Sequence, residues 1–225
     1  VTAVSGLLVI FAHTETLGGW TSDDILALLG IYVLVSGMIQ LFIRPSMQQM
    51  MEDVRKGTLD YTLTKPEDAQ FLISISPVRI WKMTDVILGL AVIGVALSRR
   101  GMALGFENAA AFCLVLFCGA VIIYSFWLML ATLSFLFLRI ENILAIFQTM
   151  YQADRWPIGI YPDWLKFILT FIVPIAFAIT VPAQALTGRL TADALLLDVA
   201  VALAMLILSR VFCRIGIRNY SGASA

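Results

Sequence analysis

The sequence predicts an all-α polytopic membrane protein, and two observations carry that prediction. Sixty per cent of the 225 residues are hydrophobic and 13% are charged, whereas roughly a quarter of the residues are charged in an average soluble domain. The apolar residues also gather in long runs, as expected of helices that must satisfy their own backbone hydrogen bonds inside a bilayer. The formal net charge is zero, so nothing in the composition indicates a nucleic-acid partner.

The apolar runs define the predicted membrane spans. The run at residues 1–12 is shorter than the about 20 residues that cross a bilayer, so we expect an upstream segment to complete this first, partial span (about 1–17). Four further spans are predicted at about residues 25–43, 83–104, 109–137 and 192–213. The whole chain, 1–225, is interpreted as a single transmembrane domain.

Prolines interrupt the apolar stretch 156–188. Proline removes a backbone donor and bends helices, so we predict two half-helices here rather than one straight span. The predicted breaks are at Pro162, Pro174 and Pro182. Broken helices at membrane depth persist only where protein or a cavity surrounds them.

The placement of Lys and Arg predicts the orientation of the chain in the membrane. The connection 44–82 carries six of these residues and the C-terminal tail adds Arg210, Arg214 and Arg218. The turn at 18–24 has none, although Arg99 and Arg100 count against the assignment. Because positive residues favour the cytoplasmic side, the connection 44–82 and the C-terminus are predicted to be cytoplasmic.

The polar stretch 51–71 has the most detailed local pattern. Residues 46–56 favour a helix, which Gly57 is expected to end. Leu59, Tyr61 and Leu63 alternate with polar residues, which predicts an extended piece with one apolar face.

A second short helix is predicted directly after that piece. The sequence Thr64-Lys65-Pro66-Glu67 has the form of a capping box with proline in the first turn. The helix is expected at about residues 66–74, with an apolar side formed by Ala69, Phe71, Leu72 and Ile75. Two interpretations stay open for it: a helix resting on the membrane surface, or a docking element for a cytoplasmic partner.

Four motifs spread over the chain resemble one family. They are GGW at 18–20, VRKGTLDYTLTKP at 54–66, WPIGIYPDWLKFILTFIVPIAFAITVPAQALTG at 156–188 and GIRNYSG at 216–222. In this order they resemble the permease subunits of type 2 ABC exporters, in the poorly characterised branch of six-span ABC-2 transporters. The resemblance implies six spans with a fifth at about 140–157, a cytoplasmic coupling loop at 46–82 and an outer pair of re-entrant half-helices at 162–187.

The resemblance also implies partners for the chain. They are two copies of a cytoplasmic ABC ATPase, a second permease that is the same or a related chain, and membrane lipids. The 225 residues contain no GxxxxGK[ST] phosphate loop, so we expect no cofactor in this chain, no enzymatic activity of its own, and ATP and Mg on the ATPase subunit. The expected location is the bacterial inner membrane.

Two groups of residues are assigned functional roles, with neither catalytic nor metal-binding residues among them. The residues expected to couple to the ATPase are Arg55, Gly57, Leu59, Asp60, Leu63, Pro66, Glu67, Asp68, Phe71 and Leu72. In the fifth span Arg139, Glu141 and Gln148 are candidates for the translocation pathway, because charges inside a membrane are expensive and usually functional. The alternative for Arg139 and Glu141 is an interfacial pair that reaches the headgroups.

Three functions compete at this stage. The first is the membrane half of an ATP-driven exporter, whose charge-poor interior suits an amphiphilic substrate. The second is a secondary transporter, which also uses broken helices near the midplane but needs an internal repeat that the sequence does not show. The third is a polytopic membrane enzyme, which needs a cluster of polar or metal-binding residues, whereas the chain has one His and scattered acidic residues.

Overall fold

A computed structural model describes residue 16 and residues 19–65, 68–75, 77–100, 105–135 and 158–218. The regular elements in these ranges are all helices. The predicted all-α class is therefore confirmed for the described part of the chain, while the expected spans at 1–17 and 140–157 lie outside it.

The first long helix runs continuously from Ser22 to Lys56, a length of 35 residues. It comprises α1 (Ser22–Met38), a π-helical turn (Ile39–Ile43) and α2 (Arg44–Lys56). At a rise of 1.5 Å per residue it is about 50 Å long, which exceeds the about 30 Å of a hydrocarbon core. The apolar α1 and the π-helical turn together span residues 22–43, about 33 Å, and are thus long enough to cross the membrane, while the more polar α2 continues beyond it.

The remaining elements follow in chain order. Their bounds are α3 (Asp60–Leu63), α4 (Ala69–Ile75), a 3-10 turn (Ile80–Lys82), α5 (Met83–Arg100), α6 (Phe106–Thr132) with a terminal 3-10 turn (Leu133–Phe135), a 3-10 turn (Ile158–Ile160), α7 (Asp163–Phe167) with a π-helical turn (Ile168–Ile172), α8 (Ile175–Leu186) and α9 (Ala192–Arg218). Within the described ranges four helices are long and apolar enough to cross a membrane, or five if the bent α7–α8 pair counts as one span.

The four long helices differ in how much of their apolar surface the protein itself covers. In its most apolar stretch the first long helix is 67% buried and α6 is 50% buried, against 17% for both α5 and α9. The helix α1 packs along α5, α6 packs against α8 and α9, and α8 also contacts α1. So α1, α6 and α8 form the interior, and α5 and α9 present apolar faces to the surroundings.

Glycines allow α1 and α5 to approach closely. A Cβ atom added to Gly30 or Gly37 of α1 would lie 2.9 Å from a backbone nitrogen of α5. A Cβ atom added to Gly89 of α5 would lie 2.5 Å from the backbone nitrogen of Leu34. Small residues that let two backbones meet are the usual basis of tight helix packing in membranes.

The proline-rich region folds as two helical segments, Asp163–Thr170 and Ile175–Leu186, which meet at 95°. Pro162 lies directly before α7 and Pro174 directly before α8, so both lie at the start of a segment. Pro182, predicted as a third break, instead lies inside α8, which continues to Leu186. A proline costs the helix one hydrogen bond, and α8 tolerates that loss because most of its residues are buried against α1 and α6.

At one end of the bundle an ion pair joins the start of α1 to the turn between α8 and α9. Thr21 caps α1, and its backbone N–H donates to the carboxylate of Asp24 at 3.1 Å. The same carboxylate, fully buried, accepts a hydrogen bond from Arg189 at 2.9 Å. The Arg189 guanidinium also donates to the carbonyl of Gly19 at 2.7 Å and lies 5.4 Å from the ring centroid of Trp20. Two segments 165 residues apart are thereby held together.

We expect Gly89→Ala to destabilise the protein, because the new methyl group would force α5 away from the backbone of α1. Overpacking of this kind costs about 1–3 kcal/mol. The matched control is Gly94→Ala on the same helix, where an added Cβ meets no atom within 4 Å. Thermal unfolding in detergent should show a lower melting temperature for the first variant only, and equal melting temperatures would contradict the close α1–α5 contact.

Candidate functional site

Gly57 ends α2 and begins a fixed turn. Its φ of 69° is left-handed, a conformation that glycine adopts without steric cost. The N–H groups of Gly57 and Thr58 donate to the carbonyls of Val54 at 3.2 Å and Asp53 at 2.9 Å. The Asp53 carboxylate in turn accepts from the Thr58 hydroxyl at 3.2 Å and from Gln49 at 2.8 Å. The direction in which the chain leaves α2 is therefore set by several hydrogen bonds.

The segment after this turn is helical, so the predicted extended piece is wrong. Within and around α3 (Asp60–Leu63), Thr62 N–H donates to the Leu59 carbonyl at 2.8 Å and Thr64 N–H donates to the Asp60 carbonyl at 3.0 Å. A single extended piece would leave these backbone groups without a neighbouring strand to pair with. The side chain of Leu59 is completely buried in the main hydrophobic core, so it holds the segment to the bundle.

The second short helix begins later than predicted. α4 starts at Ala69 rather than Pro66, and Asp68 acts as its cap. The Asp68 carboxylate accepts a hydrogen bond from the backbone N–H of Gln70 at 3.0 Å. Thr64, expected to cap this helix, directs its hydroxyl to a carbonyl of α3 instead.

Asp68 also forms an ion pair with Arg210 of α9. Partial burial raises the pKa of Asp68, but the hydrogen bond and charge of Arg210, with the backbone N–H groups of Gln70 and Phe71, outweigh it and leave the pKa below its ordinary value. The stability that this pair contributes is therefore present above the ordinary Asp pKa and is lost as the pH falls through the lowered value. Nearly half of each side chain is exposed, so the contribution is modest.

Tyr124 of α6 forms hydrogen bonds with two residues of α4. Its hydroxyl lies 2.5 Å from the hydroxyl of Ser74 and accepts from the Gln70 amide at 3.3 Å. Ser46 of α2 donates to the backbone carbonyl of Ser74 at 3.3 Å, and Ile73 is buried in the core. The segment 57–75, here called the connecting segment, is thus fastened to α2, α6 and α9.

The opposite side of the connecting segment exposes two aromatic rings. Tyr61 on α3 is 77% exposed and Phe71 on α4 is 59% exposed, and these two short helices contact each other. Leu72 is half-buried, and Arg55 just before the segment is exposed. One side of the segment therefore packs on the bundle while the other presents aromatic surface away from it.

The other predicted site residues are placed as follows. Asp60 is half-buried. Outside the described part of the structure lie Pro66, Glu67, the side chain of Leu63, and all three pathway candidates, Arg139, Glu141 and Gln148. The roles assigned to all of the predicted site residues, described or not, stay predictions.

An apolar groove of about 210 Å³ lies between the first long helix and α6. Its lining residues are Val35, Met38, Ile39, Phe42, Ile43, Ala120, Val121, Ile123 and Tyr124. The π-helical turn Ile39–Ile43 forms part of one wall. Tyr124 lines the groove and also contacts the connecting segment. A space of this size is smaller than the roughly 300–1,000 Å³ of typical small-molecule pockets.

Sequence reasoning missed Tyr124 and understated Arg210. Tyr124 is the one tyrosine in the apolar helix α6, and a buried or half-buried tyrosine usually needs a partner for its hydroxyl. That signal indicated a polar contact but not its partner. Arg210 was counted only toward orientation, because its partner lies 142 residues away in the sequence.

Comparison with models of known protein families gives a match over nearly the whole chain. The family model described as "ABC-2 family transporter protein" matches residues 1–224. Neither the curated proteins nor the solved structures contain a match to the chain. The resemblance noted from the sequence motifs is confirmed, and the chain belongs to the family of ABC-2 transporter membrane proteins.

Proposed function

We propose that this chain is the permease subunit of an ATP-driven exporter and that its connecting segment docks a separate ABC ATPase. The observation that carries the proposal is the two-sided character of that segment: Leu59 and Ile73 are buried in the bundle while Tyr61 and Phe71 are exposed. Exposed aromatic residues on a segment whose other residues are buried in the protein are typical of a protein-binding site.

The contacts of the connecting segment support a role in transmission. α4 is hydrogen-bonded to Tyr124 of α6 and its cap is paired with Arg210 of α9. A displacement of α4 by a bound partner therefore acts on two long helices at once, with little motion lost in flexible chain. A helix that only rested on a membrane surface would need no such polar ties to the bundle.

The ion pairs also bear on orientation. Asp68 with Arg210 places the connecting segment and the C-terminal part of α9 at the same end of the bundle, and Asp24 with Arg189 joins the segments at the start of α9. The connection 44–82 carries an excess of Lys and Arg, which favours the cytoplasmic side for the end of the bundle that holds the connecting segment. In our proposal the ATPase therefore meets the chain from the cytoplasmic side of the inner membrane, and the C-terminus lies on that side.

We further propose a complex of two permeases, identical or related, above two ATPases that bind ATP and Mg. The apolar, largely uncovered faces of α5 and α9 leave room for lipid or a second subunit. An amphiphilic substrate suits the apolar groove beside Tyr124, which can take one hydrocarbon chain.

Phe71→Ala and Tyr61→Ala are each expected to reduce binding of the ATPase. Burial of a large aromatic side chain is worth roughly 1.5–3 kcal/mol, so each change should weaken binding by about tenfold or more. The measurement is the amount of ABC ATPase, identified by mass spectrometry, that co-purifies with the tagged protein from detergent extracts of its native host.

The matched control for these variants is Trp164→Ala. Trp164 lies on α7 and is 65% exposed, so its loss removes comparable aromatic surface outside the connecting segment. Co-purification should be unchanged in this control. Recovery of the ATPase at the unmodified level with both Phe71→Ala and Tyr61→Ala would show that the aromatic pair does not form the docking surface.

Tyr124→Phe is expected to separate docking from transmission. The ring keeps its packing but the contacts with Ser74 and Gln70 are lost, and one such hydrogen bond contributes about 1 kcal/mol. Backbone amides of α4 should then exchange hydrogen about fivefold faster, while the ATPase still co-purifies and substrate-stimulated ATP hydrolysis falls. Tyr61→Phe removes an exposed hydroxyl from the same segment and should leave the exchange of α4 unchanged. Equal exchange in both variants would argue against the Tyr124 contact.

A further inference from the structure

Asp198 is an acidic residue buried in the apolar part of α9. Its side chain has no exposed surface, and neither carboxylate oxygen has a hydrogen-bond partner within the described ranges. The buried residues of α9 are Asp198, Ala202, Ser209, Cys213 and Gly216. Because they share one side of the helix, Asp198 points into the bundle rather than toward lipid.

The surroundings of Asp198 are almost entirely apolar. Ala202, one turn along α9, packs in a buried cluster with Cys118 and Ile122 of α6 and Phe177 of α8. Cys118 is the ionisable side chain in this cluster.

Within the described ranges, the elements that pack most extensively against α9 offer Asp198 no cationic partner. They are α6, α8 and the turn Leu133–Phe135. The last two contain no ionisable side chain, and α6 contains only Glu107, Cys113, Cys118 and Tyr124. On α9 itself Arg210 lies 12 positions further along the helix, paired with Asp68.

An ionised carboxylate is very costly at such a place, because the side chain has no surface open to solvent and the described residues offer it neither a hydrogen bond nor a positive charge. The side chain has no water-accessible surface, so a hydrated cation has no room beside it. A proton, in contrast to a hydrated cation, can bind to the carboxylate without needing additional space. A protonated carboxyl can also act as a hydrogen-bond donor, whereas a carboxylate can only accept.

We propose that Asp198 is a proton-binding site, which holds a proton while α9 lies against α6 and α8 and releases it when this contact opens to water. On release the O–H bond of the carboxyl breaks, a water molecule takes the proton, and the electron pair stays on the carboxylate. Acidic residues that carry protons inside membrane proteins face the bundle interior in this way.

Infrared difference spectroscopy of the protein in lipid nanodiscs tests the proposal. An exposed aspartate with an ordinary pKa near 3.9 is protonated in roughly one molecule per thousand at pH 7. Subtracting the spectrum of Asp198→Asn from that of the unmodified protein at pH 7 should reveal a C=O stretching band of a protonated carboxyl. The same subtraction with Asp193→Asn, an exposed residue in the first turn of α9, should reveal carboxylate bands only.

Carboxylate bands in the Asp198→Asn difference spectrum would overturn the proposal. Asp198→Leu serves as a second variant that fills the site with an apolar side chain, and it should lose the same band. A third measurement needs no variant: in protein labelled with carbon-13 at the aspartate carboxyl, the band of a protonated aspartic acid should be present at pH 7 and shift with the isotope. Absence of any such band would also overturn the proposal.

Discussion

Hydrocarbon offers the polypeptide backbone no hydrogen-bond partner, and most of this fold follows from that constraint. It explains why the described elements are helices and why the chain bends at 95° only where α8 is packed against α1 and α6. It also explains why Pro182 is tolerated: the missing donor lies in a helix whose other backbone groups are paired and whose faces are covered by protein. The glycines at the α1–α5 crossing answer a second constraint of the membrane. Lipid competes with every apolar contact between helices, so only dense packing favours the association of one helix with another.

In the described part of the chain, the ion pairs between distant segments lie at the two ends of the bundle. Arg189 and Asp24 join segments at one end, and Arg210 and Asp68 join segments at the other. Each pair connects parts of the chain more than 140 residues apart. The apolar contacts between the helices determine which faces meet, and the two ion pairs specify how the connecting turns close over the ends.

Local sequence patterns predicted the structural features that depend on backbone conformation and hydropathy alone. The end of α2 at Gly57 follows from the left-handed conformation that glycine favours, and the long apolar runs locate the membrane helices. The sequence pattern correctly predicted that the side chains of Leu59 and Tyr61 point to different sides. A helical turn, however, also directs residues two positions apart to different sides, so the pattern did not distinguish a helix from an extended piece. The choice of Asp68 as a cap and its pairing with Arg210 depend on tertiary packing, which no local pattern encodes. The sequence therefore pointed to individual residues of the connecting segment, such as Gly57 and Leu59, whereas the contacts that hold the segment in place could not be predicted from it.

The proposed docking surface and the proposed proton site act on the same two helices. Tyr124 of α6 and Arg210 of α9 receive the connecting segment, while Cys118 and Asp198 lie further along those helices. At 1.5 Å per residue the separations are about 9 Å on α6 and about 18 Å on α9. Because helices are stiff over such distances, we expect a shift of α4 that moves Tyr124 and Arg210 apart to loosen the contact that encloses Asp198. Docking of the ATPase and hydration of Asp198 would then be linked, and by the reciprocity of linked equilibria the release of the proton would in turn change the affinity for the ATPase.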